Sequence, residues 1–273
     1  IVVLNKLKGI EIQNEDAKSA VIRAMGGEIW HDLVLFTVEH EYWGVENLSF
    51  IPGTVGAAPM QNIEAYGAEL ANVLESVETY EIKTGEKKVF NREECELGYR
   101  DSIFKNKLKG EYFIFAITLR LSKIEQKNIS YRSLIEYFET NKVETSKSKD
   151  ISNAVTAIRK SVLPDPVLIA NAGSFFKNVF LSKEKDKEKI KEMLSAYPDM
   201  PYFENGEMLK IPTAWLVEQA GWKGKRVGNV GVHAKHALVL VNHGGAKGEE
   251  VKDLAGKIMA SVFAKFGLNI IPE

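Results

Sequence analysis

Residues 51–62 read Ile-Pro-Gly-Thr-Val-Gly-Ala-Ala-Pro-Met-Gln-Asn, and they form a tightly constrained stretch of this chain. Two prolines, two glycines and two adjacent alanines leave the backbone with few side chains around it. Such a bare backbone lets a flat or phosphorylated ligand approach main-chain N–H groups closely. The glycines have neither the Walker nor the Rossmann spacing. The pattern alone therefore favours a structural turn over a ligand-binding loop.

The composition around this stretch is typical of a globular protein. Of the 273 residues, 45% are hydrophobic and 27% are charged, and the net charge is −1. This balance offers no overall attraction to nucleic acid or to an anionic membrane surface. Apolar runs such as residues 237–241 are too short to span a bilayer. The single cysteine, Cys95, excludes an intrachain disulfide, and we expect a cytoplasmic, monomeric protein.

Hydrophobic patterning predicts an α+β protein. Residues 112–121 alternate in hydrophobicity, which indicates a long strand, and residues 79–90 resemble a hairpin around Thr-Gly-Glu. Residues 249–266 carry an apolar stripe at helical spacing. Residues 33–38 are predicted to form a strand, whereas residues 16–25 have the spacing of a helix that ends before two glycines.

Three further segments contain side chains that could carry chemistry. Arg100 next to Asp101 is most often a surface ion pair, but it could also be a fork for a carboxylate or phosphate. Ser174, after Ala-Gly, could cap a helix or act as a placed hydroxyl donor. His233 and His236 are three residues apart, and a metal site would need a third ligand that the nearby sequence does not offer. We therefore expect no metal.

In this order, the segments resemble the UDP-N-acetylenolpyruvoylglucosamine reductase (UDP-N-acetylmuramate dehydrogenase) family of bacterial cell-wall synthesis. The resemblance spans nearly the whole chain and rests on the motifs IPGTVGAAPMQNIEAYGAE, CELGYRDSIFK, LPDP with NAGSFFKN, AWLVEQAGWKGKRVG and the closing IIPE. The segment ISYRSL, which contains Tyr131, is similar to the substrate-closing loop of the longer type of this family.

The resemblance implies a flavoenzyme that uses FAD and NADPH to reduce a small molecule, UDP-N-acetylglucosamine enolpyruvate, to UDP-N-acetylmuramate. It implies an FAD-binding domain of the vanillyl-alcohol-oxidase type over residues 1–124, of which the N-terminal portion is missing. A tyrosine loop and linker would follow over residues 125–150, and a C-terminal α/β substrate domain over residues 151–273. No nucleic acid or membrane partner is expected.

The resemblance also implies a catalytic trio. Arg100 would hold the carboxylate on which negative charge develops after hydride addition. Ser174 would donate a proton to the strongly basic α-carbon, and Glu273 would assist by hydrogen bonding near the same carboxylate.

The remaining site residues are carried over from the same motifs. The 51–62 loop would line the flavin through Ile51, Pro52, Gly53, Gly56, Ala57, Ala58 and Met60. The substrate would be contacted by Tyr66, Tyr131, Arg159, Asn178 and His236.

The chain departs from the family pattern at several points. Glu64 stands where glycine is usual, Val162 where many members carry a phosphate-binding lysine, and His236 where glutamine is frequent. The chain begins and ends within apolar segments, so we expect it to be cut at both ends and to lack the Gly-rich segment that embraces the FAD pyrophosphate. The alternatives are a flavin-free nucleotide-sugar-binding remnant and an oxidase on the same fold, and the YRDS and NAGS motifs argue against the oxidase.

Overall fold

The computed structural model describes residues 4–273. Residues 1–3, with which the apolar N-terminal run begins, lie outside the described residues. The chain forms two compact units, Ile1–Arg159 and Lys160–Glu273. The functional division at residues 124 and 150 remains a prediction. Within the described residues, no helix is both long and apolar enough to cross a membrane.

The first unit is built on a five-stranded antiparallel sheet. Its strands are β1 (Ile10–Glu15), β2 (Ser19–Met25), β5 (Leu74–Glu81), β6 (Lys87–Asn91) and β7 (Tyr112–Ser122). Their order in the sheet is β1-β2-β7-β5-β6. A separate hairpin pairs β3 (Glu64–Ala65) with β4 (Ala68–Glu69). The helices of this part are α1 (Trp30–Glu39), α2 (Arg132–Asn141), α3 (Ser148–Val162) and the short 3₁₀ helices Glu46–Leu48, Val55–Gln61 and Leu70–Asn72.

The central strand of this sheet is the one that the sequence predicts most clearly. β7 confirms the strand expected over residues 112–121, and it pairs with β2 on one side and β5 on the other. The predicted hairpin is also confirmed, because β5 and β6 pair on either side of a turn in which Gly85 has a φ of 75°.

Two predictions of secondary structure are wrong. Residues 33–38 belong to helix α1, whose buried residues are Trp30, Leu33, Val34, Thr37 and Val38. That spacing is helical, and the β-branched side chains obscured it. Residues 16–25 form a turn followed by strand β2 instead of a helix. The Asp16 side chain closes the turn by accepting the N–H groups of Lys18 and Ser19 at 2.6 and 2.7 Å.

A small apolar cluster in the first unit joins α2 and α3 to Trp43. It consists of Trp43, Leu134, Phe138, Ile151, Ala154 and Val155, with Tyr66 and Ile158 packed at its edge. The cluster matters for function because Tyr131 immediately precedes α2, and Arg159 lies on α3. Packing of two helices therefore sets the positions of two predicted substrate residues.

The only cysteine of the chain lies in the core of the first unit. Cys95 has no exposed surface. Burial, with smaller contributions from Glu94 and Glu93, raises the pKa of its thiol to about 12. The thiol is therefore protonated at neutral pH.

The second unit combines two small sheets with three helices. One sheet has the order β10-β11-β9 and the other β12-β13-β14-β8. The strands are β8 (Asn171–Ser174), β9 (Val179–Ser182), β10 (Phe203–Asn205), β11 (Met208–Ile211), β12 (Arg226–Val227), β13 (Val230–Val232) and β14 (Val239–Asn242), and the helices are α4 (Lys187–Ala196), α5 (Thr213–Gln219) and α6 (Gly248–Phe266). Helix α6 confirms the amphipathic helix predicted over residues 249–266. It buries Leu254, Ile258, Val262 and Phe266 in the core of this unit.

Candidate functional site

The 51–62 loop is bound to the sheet of the first unit through its main chain. Val55 donates its N–H to Glu28 O at 2.8 Å, and Gly56 donates to Gly26 O at 2.9 Å. A Cβ atom on Gly56 would lie 3.0 Å from Ile114 O and 3.1 Å from Gly26 O, both of which are main-chain atoms. Gly56 is therefore needed for the close approach of the loop to the sheet.

The other face of the loop carries the exposed residues predicted to line the flavin. Pro52, Gly53, Ala57 and Met60 are exposed, and a Cβ atom on Gly53 would meet nothing within 4 Å. Such a face of small or flexible side chains fits a flat ring system. Ile51 is half-buried, whereas the Ala58 side chain, at 2% exposure, belongs to the core. The residues present thus fit a flavin on the exposed side of this loop.

The second element of the site is an arginine–tyrosine cluster, which we define as Arg100, Arg159, Tyr66 and Tyr131. Tyr66 comes from the β3–β4 hairpin, Arg100 from a tight turn, Tyr131 from the residue before α2 and Arg159 from α3. Arg100 has a φ of 51° and Tyr66 a φ of 49°, both in the left-handed region. Non-glycine residues remain in this region only where their surroundings hold them, and such residues concentrate at functional sites.

Specific contacts orient the two arginines of the cluster. Arg100 donates from Nη2 to the main-chain oxygen of Glu64 at 3.2 Å, and its Nη1 lies 3.8 Å from the Glu64 carboxylate. Arg159 donates from Nε to Phe50 O at 3.0 Å. The rings of Tyr66 and Tyr131 meet edge to face, with their centroids 5.2 Å apart.

Burial shapes the electrostatics of the cluster. It lowers the pKa of Arg159; Tyr66 opposes this shift, and the charge of Arg100 adds to it. Burial raises the pKa of Tyr66, with Arg159 opposing and Tyr131 adding to the effect. Tyr131 is 48% exposed, and the partial burial of its ring, followed by the charge of Glu64, raises the pKa of its hydroxyl. Both phenols are therefore neutral donors at neutral pH, and together with guanidinium groups they suit a ligand rich in anionic oxygens.

In the second unit, main-chain bonds bring the segments of Ser174 and Glu273 together. Phe175 accepts the N–H of Glu273 at 2.9 Å, and Phe176 forms a bridge with Pro272. Ser174 ends strand β8, where it pairs with Val239, and its side chain is exposed. This placement in a strand excludes the helix-cap interpretation of Ser174. Two predicted catalytic residues that are far apart in sequence thus belong to neighbouring chain segments.

His236 and Asn178 occupy two different surroundings in the second unit. His236 lies in the loop between β13 and β14, and its Nδ1 accepts the N–H of Leu238 at 3.3 Å. The same Leu238 accepts the N–H of Phe175, next to Ser174. Asn178 accepts the N–H of Thr213 with its Oδ1 at 3.1 Å, at the start of α5. His236 is thus linked through Leu238 to the segment that contains Ser174, whereas the side-chain oxygen of Asn178 binds the first residue of helix α5.

Sequence reasoning missed two asparagines at the arginine–tyrosine cluster, Asn47 and Asn128. The Asn47 amide reaches residues 19 and 81 positions away, so no local pattern could identify it. The described residues also contain no group of three or more His, Cys, Asp or Glu side chains able to hold a metal ion.

Comparisons with known proteins match both parts of the chain. A family model described as "FAD binding domain" matches residues 1–90. A second, described as "UDP-N-acetylenolpyruvoylglucosamine reductase, C-terminal domain", matches residues 165–273. This order of domains confirms the predicted fold.

Individual relatives cover the chain almost completely. A UDP-N-acetylenolpyruvoylglucosamine reductase of Flavobacterium johnsoniae is 44% identical over 275 residues, which cover 100% of this chain and 80% of the relative. The same-named protein of Amoebophilus asiaticus is 48% identical over 269 residues, or 98% of this chain and 78% of the relative. A crystal structure of UDP-N-acetylenolpyruvylglucosamine reductase from Thermus caldophilus has a TM-score of 0.58 at 23% identity, covering 91% of this chain and 70% of that chain, and shows the likeness of fold. The chain therefore belongs to the UDP-N-acetylenolpyruvoylglucosamine reductase family.

Proposed function

We propose that this chain reduces UDP-N-acetylglucosamine enolpyruvate to UDP-N-acetylmuramate in the synthesis of peptidoglycan precursors. The observation that carries the proposal is the arginine–tyrosine cluster, in which four separate segments of the first unit supply two cations and two neutral phenols. This set of donors suits a nucleotide sugar that carries a diphosphate and a carboxylate.

The exposed face of the 51–62 loop, with Pro52, Gly53, Ala57 and Met60, would hold the flavin ring of FAD. When bound and reduced by NADPH, the flavin would supply the hydride for the β-carbon of the enolpyruvyl group. Gly56 and Ala58 contribute by fixing the loop to the sheet and the core. The protein thus provides position, while the cofactor provides the redox chemistry.

The guanidinium of Arg100 binds the carboxylate of the enolpyruvyl group and neutralises the charge that develops on it. One contact supports this role: Arg100 donates from Nη2 to Glu64 O, which orients the fork before the substrate arrives. The other nitrogen lies beside the Glu64 carboxylate, which the substrate carboxylate must displace.

Ser174 donates its hydroxyl proton to the α-carbon, which completes a two-electron reduction by one hydride and one proton. The exposed side chain and the rigid strand end support this role. Glu273 assists by hydrogen bonding near the same carboxylate. Tyr66, Tyr131, Arg159, Asn178 and His236 contact the substrate.

We expect the chain to act as a cytoplasmic monomer. Its single cysteine is buried and free, which is consistent with a reducing compartment. Size-exclusion chromatography with light scattering tests the monomeric state.

A two-step optical experiment tests the activity. The purified protein should show the visible absorption band of bound flavin, and anaerobic NADPH should bleach it. Addition of UDP-N-acetylglucosamine enolpyruvate should restore the band, with a product heavier by two hydrogens in the mass spectrum. A flavin band that NADPH bleaches but the substrate does not restore would contradict the assigned reaction. Binding of the nucleotide sugar without any flavin band would favour a flavin-free binding protein.

A further inference from the structure

Asn47 connects the two chain segments that carry Tyr66 and Tyr131. Its side chain is buried, with 1% of the residue exposed. Its Nδ2 donates to Tyr66 O at 2.8 Å and to Asn128 O at 2.9 Å. The amide nitrogen has two protons, so both are used in holding these two carbonyl groups.

Asn128 makes the reciprocal connection. Its Nδ2 donates to Gly67 O at 3.0 Å, and its Oδ1 accepts the hydroxyl of Ser130 at 2.9 Å. The fit is close, since a Cβ atom on Gly67 would lie 3.1 Å from the Asn128 amide nitrogen. We call Asn47 and Asn128 the asparagine clasp.

The clasp holds a turn that a tyrosine does not favour. Tyr66 and Gly67 form the two-residue loop between β3 and β4, with φ values of 49° and 80°. A hairpin loop with positive φ at both positions suits Asn-Gly or Gly-Gly, and a tyrosine at its first position is strained. The clasp binds the carbonyl oxygens of these same two residues. It therefore stabilises the backbone conformation that directs the Tyr66 side chain.

We infer that Asn47 and Asn128 are positioning residues for the reaction. They hold the Tyr66–Tyr131 pair, whose ring centroids are 5.2 Å apart, in the geometry that receives the substrate. This inference rests on the proposed function and adds to it two residues that act through the tyrosines. A clasp of this kind lowers the conformational entropy that the site loses when the substrate binds.

Substitutions that remove single donors test the clasp. Asn128→Asp keeps an oxygen for Ser130 and replaces the N–H group that reaches Gly67 with a charged oxygen that faces the Gly67 carbonyl group. Asn47→Asp replaces both donations with an oxygen facing two carbonyl groups. The matched control is Asn141→Ala, because Asn141 donates to Tyr137 O at 2.8 Å on the exposed side of α2 and touches neither tyrosine turn.

We expect Asn128→Asp to raise the KM for the nucleotide sugar about tenfold, the upper range for one hydrogen bond. The rate of flavin reduction by NADPH and the thermal unfolding midpoint should remain near the wild-type values, as should all parameters of the control. Asn47→Asp should raise the KM further. If Asn47→Asp does not fold, Asn128→Asp and Asn128→Ala carry the test.

The outcomes separate the two claims. If the wild-type protein reacts with NADPH but not with the nucleotide sugar, the proposed function fails, and the positioning role falls with it. If the wild-type protein turns over and Asn128→Asp keeps the wild-type KM, only the clasp is overturned. A purely structural role predicts equal losses in both half-reactions together with a lowered unfolding midpoint, and that result would also overturn the inference.

Discussion

The arginine–tyrosine cluster and the Ser174 strand end achieve order by different means. In the cluster, side chains bind main-chain oxygens, as Arg100 does with Glu64 and Arg159 with Phe50, and two residues are left-handed. At Ser174, the order comes from the main-chain ladder of β8 and β14 and from the bond between Glu273 and Phe175. A side chain in the cluster therefore supports the local backbone as well as its proposed ligand, whereas the Ser174 side chain can change without loss of the main-chain pairing.

The largest effect should follow Ser174→Ala, which removes the hydroxyl group and leaves the main-chain pairing of β8 with β14 in place. The fold should survive because the ladder needs no side chain at this position. Loss of the proton donor should slow reoxidation by substrate by a factor on the order of a hundred or more. Flavin reduction by NADPH should keep its normal rate. Stopped-flow absorbance resolves the two half-reactions, and equal slowing of both would remove Ser174 as the proton donor.

Arg100→Lys tests the arginine–tyrosine cluster. Lysine keeps the charge but lacks the planar fork, so it cannot hold Glu64 O and a substrate carboxylate in the same geometry. Turnover should fall on the order of tenfold to a hundredfold, while NADPH still reduces the flavin. Arg23→Lys is a matched control, since Arg23 binds Glu78 through two nitrogens in the sheet of the same unit. Near-normal turnover of Arg100→Lys would contradict its catalytic role.

Gly56→Ala tests main-chain packing and leaves the arginine–tyrosine cluster unchanged. The added methyl group meets two main-chain oxygens at 3.0 and 3.1 Å, so the loop must shift. We expect a loss of about 1–3 kcal/mol in the free energy of unfolding, measured with urea. Gly256→Ala in α6 is the control, because its Cβ would meet nothing within 4 Å. It should gain roughly 0.5–1 kcal/mol, and equal effects at the two glycines would disprove the packing argument.

The smallest effect should come from Glu64→Gln. The Glu64 carboxylate lies 3.8 Å from Arg100 Nη1, and the bond to Glu64 O remains when the side chain changes. A substrate carboxylate must compete with this resident anion for Arg100. Removing the charge should therefore lower the substrate KM roughly twofold to fivefold, the strength of a partly exposed ion pair.

Glu78→Gln removes a similarly buried partner, that of Arg23, and should leave the substrate KM unchanged. A higher KM in Glu64→Gln would mean that the carboxylate positions Arg100 instead of competing for it. The family resemblance marked Glu64 only as a residue that stands where glycine is usual, and the ion pair with Arg100 gives it a role to test.

Segments with long, regular patterns were predictable from the sequence. Strand β7 and helix α6 carry many apolar residues at a single period, and this period identified them, although the structure buries β7 on both faces. Helix α1 was predicted wrongly because a short run of Leu, Val, Phe and Thr fits either a strand or a buried helix. The helix predicted over residues 16–25 was wrong because the sequence does not reveal that the Asp16 side chain closes a turn.

The site was predictable only in part. Motif resemblance proposed Arg100, Tyr66, Tyr131 and Arg159 as site residues, and the structure of the first unit brings these four together, while their roles remain predictions. The role proposed for Asn47 could not be predicted from the sequence. It depends on main-chain carbonyl groups of distant segments, and any residue type could supply these groups. Left-handed conformations at Tyr66 and Arg100 were equally hidden, since neither residue type indicates a positive φ.

The buried thiol of Cys95 leaves the surface of this chain without a reactive sulfur. A pKa near 12 and complete burial make it a poor nucleophile toward maleimides at neutral pH. Cysteines introduced at exposed Glu139 on α2 and Lys88 on β6 would then be the labelled positions. A donor–acceptor dye pair at these two points would follow, in single molecules and without a cysteine-free background, whether the helix behind Tyr131 moves when a nucleotide sugar arrives.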